Sequence, residues 1–280
     1  MLFRSVGPEG DYEAPRLSPE GSRVAVDRID PETGLSSIWV YETSGDGSAR
    51  MTFASREHNT TWSPDGARIA FDTDRNGPMD VYQRSVSGAS DEEPLLRSEH
   101  MKSPTDWSPD GRFIVYQELD PLTKYDIWLL PLQGDRKPTP LLHGDGNETG
   151  GQFSPDGRWL AYTSDESGRR EVYVCALPGP SGKWQVSAGG GSQARWRRDG
   201  REIFYLGADR RLMAAPVKPG ATFQCGAAAP LFETRARYTA NFAYDVLADG
   251  QRFLIDTVVQ DEAAPPITVV LGWASELKER

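Results

Sequence analysis

Trp62-Ser63-Pro64-Asp65-Gly66-Ala67-Arg68-Ile69-Ala70-Phe71 sets a proline-aspartate-glycine turn between an aromatic residue and an apolar run. Asp-Gly between two such segments marks a hairpin, because glycine accepts the positive φ that tight turns demand. The proline precedes the hairpin, where no ladder N–H is required. The same tetrapeptide recurs at Ser18-Pro19-Glu20-Gly21, Ser108-Pro109-Asp110-Gly111 and Ser154-Pro155-Asp156-Gly157. Two eroded copies follow, Arg197-Arg198-Asp199-Gly200 and Leu247-Ala248-Asp249-Gly250.

Successive turn glycines lie 45, 45, 46, 43 and 50 residues apart. A bulky residue precedes each turn (Leu17, Trp62, Trp107, Phe153, Trp196, Val246), and an apolar strand such as Ile114-Val115-Tyr116 follows it. A third strand comes next, as at Ile38-Trp39-Val40 and Val172-Tyr173-Val174. A weaker outer strand is expected near Met51-Thr52-Phe53, Leu95-Leu96, Leu141-Leu142, Trp184-Gln185-Val186 and Leu231-Phe232-Glu233. Four strands repeating every 40–45 residues or so is the period of a β-propeller blade. The expectation is an all-β, six-bladed propeller of four-stranded antiparallel blades, one domain over residues 1–280. The sixth copy has no outer strand after it, and the chain ends in the helix-like Ala274 to Arg280. Leu2-Phe3-Arg4 is expected to supply that strand and close the ring, leaving no sheet edge unpaired.

The chain of 280 residues is 38% hydrophobic and 26% charged, which suits a core-forming protein, and its 28 glycines and 21 prolines fit many turns. Its formal charge of -10 repels phosphate backbones, so nucleic acid is excluded as a partner. No apolar stretch approaches the roughly 20 residues of a membrane span. The N-terminus lacks the basic and apolar regions of a signal peptide. The chain is therefore expected in the cytoplasm if Met1 is the native start. If it is cut from a longer anchored protein, it is expected outside the cytoplasm. Cys175 and Cys225 have no metal-ligand spacing and are read as separate thiols in neighbouring blades, with a bridge left open.

The run from Trp62 to Phe71, followed by Asp74-Arg75 and Asp80-Val81-Tyr82, resembles the WD40-like PD40 repeat of TolB and of propellers attached to some peptidases. The resemblance covers essentially the whole chain. The C-terminal third, from Gly190-Gly191-Ser192-Gln193 to Asp199-Gly200, then Phe204-Tyr205, Leu212-Met213, Pro230-Leu231-Phe232 and Ile267 to Leu277, is similar to propellers behind bacterial Ser/Thr protein kinases. That resemblance implies a sensor or docking module. No phosphate-binding Gly-rich loop, catalytic loop or DFG is present, so any kinase would lie outside this chain.

Six evenly spaced Ser-Pro-Asp-Gly copies cannot be a catalytic constellation, which is single and convergent. Asp72, Asp74 and Asn76 with Gly77 open like a Ca²⁺ loop, and Asp80 takes the ninth position. However, Gln83 replaces the bidentate Glu, and Arg75 intrudes. A hairpin explains the stretch as well. His58, His100 and His143 read as solvated loop residues. Tyr12, Glu57, His58, Lys102, Glu148, Gln193 and Asn241 fall four to six residues or so before the apolar face of each turn and are expected to ring the channel mouth. Acidic connections at Asp30 and Glu32, Asp72 and Asp74, Glu118 and Asp120, Asp165 and Glu166, and Asp261 and Glu262 would share that face and favour a basic partner. The expected function is a non-catalytic, monomeric protein- or peptide-binding propeller without cofactor, whose catalytic domain, if any, is elsewhere. The alternative is a metal-dependent hydrolase or lactonase using Glu57, Glu148 and Asn241 in the channel.

Overall fold

The computed structural model describes residues 2–53, 55–88, 91–179, 181–237, 242–257 and 267–271, with backbone alone at 2–4 and 267–271. Two compact units make up the chain, one of Met1–Pro94 with Thr234–Arg280 and the other of Leu95–Glu233. Residues 11–50, 57–96, 101–142, 148–185 and 191–233 each form a sheet of four consecutive antiparallel strands. These are five blades, where six like blades were expected. The sixth copy is built differently. Its short hairpin, Tyr244–Val246 with Arg252–Asp256, is extended by Ile267–Leu271, and Leu2–Val6 pairs with that strand from Leu2↔Leu271 to Val6↔Ile267. This copy draws on both chain ends because no fourth strand of its own follows among the described residues. The expected helical Ala274 to Arg280 lies outside the described residues.

The repeated tetrapeptide is a hydrogen-bonded turn. The Gly66 N–H donates to the Ser63 carbonyl at 2.8 Å, with Gly66 at φ +67°. The Ser63 hydroxyl donates to Asp65 Oδ1 at 2.5 Å and accepts the Arg68 N–H at 2.9 Å. Ser108 and Ser154 repeat the arrangement, their hydroxyls reaching Asp110 and Asp156 at 2.7 and 2.6 Å. The eroded copies lack the serine but keep the backbone bond, Gly200 N–H to Arg197 O and Gly250 N–H to Leu247 O, each 2.9 Å, and the aspartate bond, Asp199 and Asp249 accepting the Arg201 and Gln251 amides. Serine is thus a local reinforcement, and the turn survives its loss.

At two of the turns the tryptophan before the turn ties its blade to the one before it, whereas Trp107 Nε1 donates to the Gly111 carbonyl of its own turn at 3.4 Å. Trp62 Nε1 donates to the Arg16 carbonyl at 3.0 Å in the first unit, and Trp196 Nε1 donates to the Gln152 carbonyl at 3.2 Å in the second. Around Trp62 pack Ala25, Ile38, Val40, Ile69 and Phe71. Burying such a ring and its aliphatic neighbours contributes roughly 1.5–3 kcal/mol per large side chain.

Each innermost strand of the five blades carries a register shift, at Glu13/Arg16, His58/Thr61, Pro104/Asp106, Thr149/Gln152 and Ser192/Arg195. Asn59 at φ 54° and Gly150 at φ 65° sit in the left-handed region at these bulges. Their amides leave the ladder and find side chains on the preceding blade: Asn59 N–H donates to Asp27 Oδ2 at 3.0 Å and Gly150 N–H to Gln117 Oε1 at 3.1 Å. A bulge re-aims the strand that follows it, so these bonds set where the inner-strand side chains point.

The first outer strand is Ser48–Arg50 and not the expected Met51-Thr52-Phe53. Met51 N–H still donates to Ile38 O at 2.7 Å, but Ile38 N–H then bonds the Thr52 hydroxyl at 2.9 Å. A side chain replaces the ladder acceptor there, the strand ends, and Phe53 swings outward.

Candidate functional site

Most residues expected to ring a channel mouth are engaged within their own blades. Tyr12 is fully buried and donates to the Pro8 carbonyl at 2.8 Å. Glu57, also fully buried, accepts the Thr52 hydroxyl at 3.0 Å, the Ser55 N–H at 2.9 Å and Arg75 Nη2 at 3.2 Å. Lys102 Nζ is turned back onto the Ser98 and His100 carbonyls, and Glu148 accepts the Ser164 hydroxyl at 3.0 Å. Gln193 is the left-handed bulge residue of its blade, at φ 59°. Asn241 lies outside the described residues. Four of these side chains, Tyr12, Glu57, Lys102 and Glu148, therefore organise strand ends and connections. His58 is the exception.

His58 stands on the innermost strand Glu57–Trp62, not in a solvated loop. Its Nδ1 is 3.6 Å from Asp27 Oδ2, and its Nε2 meets the Ser36 hydroxyl at 2.9 Å. Asp27 is fully buried; burial pushes its carboxyl up, while His58 and the Asn59 amide pull it back. Burial alone would depress the His58 pKa. The carboxylates of Asp27, Asp72 and Glu13 outweigh that and raise it to about 9. The imidazole is thus a cation at neutral pH, held in a carboxylate cluster. Burial and Asp27 raise Glu13, and burial raises Asp256 to about 7 despite Arg237. The other two histidines also meet carboxylates: His100 Nδ1 lies 3.2 Å from Glu118 and His143 Nδ1 2.9 Å from Asp126. His100 and His143 lie outside the strands, as expected, and only His58 departs from the loop reading.

The oxygens of the candidate Ca²⁺ loop diverge. Asp72 Oδ2 accepts Asn59 Nδ2 at 2.8 Å, Asp74 caps the Ser55-Arg56 segment, and Asn76 Nδ2 donates to the Tyr82 hydroxyl at 2.7 Å. Asp80 pairs with Thr73 across the hairpin. Among the described residues no three His, Cys, Asp or Glu side chains converge as metal ligands. The acidic connections are likewise turn builders. Asp30 accepts the Glu32 and Thr33 amides, Asp120 those of Leu122 and Thr123, and Asp165 that of Asn147. Asp261 and Glu262 lie outside the described residues.

The first blade also carries a groove of about 410 Å³, which the sequence did not signal, lined by Arg28, Leu35, Ser36, Trp39, Arg50 and Phe53 among others. Arg28 lies over the Trp39 ring at 5.0 Å and Arg50 over Phe53 at 4.9 Å. Phe53 is 66% and Leu35 42% exposed. Ser36 joins this groove to His58. Phase in the repeat explains why the groove was missed: beside the recurring Trp39 it uses Leu35, Arg50 and Phe53, which do not recur between blades.

The first part of the chain matches a known family model. Residues 5–121 match the TolB beta propeller domain, PD40. The chain is 34% identical over 107 residues to the uncharacterized peptidase YuxL of Bacillus subtilis (strain 168), covering 36% of this chain and 16% of that relative. It therefore spans only a small part of that protein's length. The structure of a putative TolB from Agrobacterium tumefaciens is similar at TM-score 0.65 and 21% identity, over 77% of this chain and 80% of that one. TolB from Acinetobacter baumannii is similar at TM-score 0.72 and 16% identity, over 90% of this chain and 64% of that one. At these identities the two structures support the fold alone, an all-β propeller with four-stranded antiparallel blades. Among the described residues no helix is long and apolar enough to cross a membrane.

Proposed function

We propose that this chain is a non-catalytic, protein- or peptide-binding propeller that acts as the docking or sensing part of a larger bacterial signalling protein. One observation carries the reading. Tyr12, Glu57, Lys102 and Glu148 are bonded to neighbouring strand ends and connections, while Leu35 and Phe53 stand exposed beside a groove. Exposed large apolar groups around a concavity favour a partner surface over solvent. The match of a short stretch to a much longer peptidase relative supports a propeller that works for a domain outside it. The formal charge of -10 would steer a basic partner toward the protein at long range. The pairing of Leu2–Val6 with Ile267–Leu271 would act as the seam that holds the two chain ends together.

Native protein recovered from its source cells with an antibody to this propeller tests the reading. A partner of fixed stoichiometry, whose association slows when salt is raised to about 0.5 M and the Debye length falls to a few ångströms, is the expected result. Recovery of the protein alone, together with hydrolysis of ester or peptide substrates by the purified propeller, would reverse it.

A further inference from the structure

We propose that the groove on the first blade is a docking site for an apolar, acidic peptide segment of a partner protein. This deepens the binding reading above and gives its short-range chemistry. Among the described residues the exposed large hydrophobic side chains are Leu35, Phe53, Met101 and Leu122, and the first two share this groove. Each apolar wall has a guanidinium against it, Arg28 over Trp39 and Arg50 over Phe53. An arginine stacked on a ring keeps its in-plane N–H donors for a carboxylate, and its orientation is already fixed. Arg50 Nε is bonded to the Thr52 carbonyl at 2.9 Å, which fixes that side chain further.

Charge decides the occupant. Asp30, the carboxylate on the rim, accepts the Glu32 and Thr33 amides, both at 2.9 Å, and the Thr33 hydroxyl at 3.1 Å. Its lone pairs are directed into its own turn. Behind Ser36 lies the His58 imidazole, within hydrogen-bond reach at 2.9 Å. Two arginines, Arg28 and Arg50, thus face one concavity with apolar walls in a protein whose net charge is -10, and the His58 charge behind Ser36 is taken up by its own carboxylates. A lysine-rich segment would meet like charge here, and a purely apolar one would strand the arginines without partners. Alternating carboxylates and aliphatic side chains satisfy both. The volume, about 410 Å³, falls in the range of about 300–1,000 Å³ usual for pockets that enclose a few side chains.

The test is fluorescence anisotropy of the whole chain with a labelled short peptide that alternates aspartate and leucine. A control peptide carries lysine in place of aspartate. Arg50→Glu and Phe53→Ser alter exposed positions outside the core, and Arg112→Glu is a control on an exposed arginine of the other unit. The expected result is binding that weakens about tenfold or more with either groove variant, as at other interface anchors, stays unchanged in Arg112→Glu, and is absent for the lysine peptide. No binding at millimolar peptide, equal binding by all variants, or equal binding of the lysine peptide overturns the proposal. So does a wild-type dimer that Phe53→Ser turns into a monomer, which would give the face to a second copy. If the native partner binds Arg50→Glu and Phe53→Ser as well as wild type, the groove assignment falls and the broader binding reading stands.

Discussion

Replacing His58 by Gln should remove a large part of the protein's stability at neutral pH and flatten its pH dependence above neutrality. The folded protein raises the His58 pKa from 6.5 to about 9. A group whose pKa rises on folding contributes fully below its unfolded value, and that contribution fades as pH climbs through the folded one. The window is thus about pH 6.5 to 9. The 2.5-unit difference, at about 1.36 kcal/mol per unit, corresponds to about 3 kcal/mol. His58 is only 22% exposed and Asp27 is fully enclosed, so solvent screening removes little of this. Glutamine can still reach the Ser36 hydroxyl but carries no charge, which leaves Asp27 with the Asn59 amide and no cation.

Urea unfolding of wild type, His58→Gln, Asp27→Asn and the double variant at about pH 6, 8 and 10 measures the effect. Wild type should lose about 3 kcal/mol relative to His58→Gln across that range, and the double-variant cycle should show the two side chains coupled by more than 1 kcal/mol or so. Proton NMR of the imidazoles gives a second readout, since the chain has only 3 histidines. A His58 resonance that titrates near 6.5, or parallel loss of stability in wild type and His58→Gln, would refute the ion-pair argument.

Asp256 has the opposite preference: burial raises its pKa from 3.8 to about 7, so stability is greatest below the unfolded value and declines as pH rises through 7. Asp256→Asn should therefore match wild type near pH 4 and unfold at higher urea above pH 7. Ser108→Ala removes a hydroxyl that bonds Asp110, the Arg112 amide and the Phe113 amide, and should lower stability by about 1–2 kcal/mol without unfolding the blade, as the surviving turn at Arg197 implies. Deleting residues 1–10 strips the strand from Ile267–Leu271 and should broaden the thermal transition. Cys175, 1% exposed and with its thiol pushed up to about 12 by burial, should resist a thiol reagent at pH 8 or so until the protein unfolds.

The fold was legible because its determinants repeat. Each Asp-Gly turn recurs at the blade period, and the aromatic residue four positions before the glycine bonds the previous blade at both Trp62 and Trp196. The blade count was not fully legible. The copy at Asp249-Gly250 has the turn but lacks four consecutive strands, and its partner strand comes from the far end of the chain. Repeat phase alone did not show what the expected channel-mouth residues bond to. Repeat phase shows that Tyr12, Glu57, Lys102 and Glu148 are equivalent, but equivalent positions can point inward. Here they hold the connections next to them. The pairing of His58 with Asp27 was written in the same phase, since Asp27, Asp72 and Asp256 all follow their turn glycine by six residues. Asp27 there reaches the next inner strand at His58 and Asn59, whereas Asp72 bonds Asn59 of its own blade.

Repetition itself argues against finding function at repeated positions. A side chain that recurs from blade to blade, such as the turn carboxylate or the bulky residue before the turn, is already committed to stability, and its exposure is low or its lone pairs are taken. Recognition needs chemistry that one blade has and the others do not. In the first blade the Thr52 hydroxyl replaces a ladder acceptor, as the Ser187 hydroxyl does in the fourth, but Phe53 follows it where the fourth blade has Ala188. Phe53 projects beside Arg50, and the hairpin after Ile29 brings Leu35 opposite. The departure from the repeat creates the groove, and the charge it gathers differs in sign from the protein around it. Restoring the repeat should therefore abolish binding without harming the fold. Phe53→Ser removes the projecting ring at a position 66% exposed, so its effect should appear in peptide affinity and leave the unfolding midpoint within about 0.5 kcal/mol of wild type.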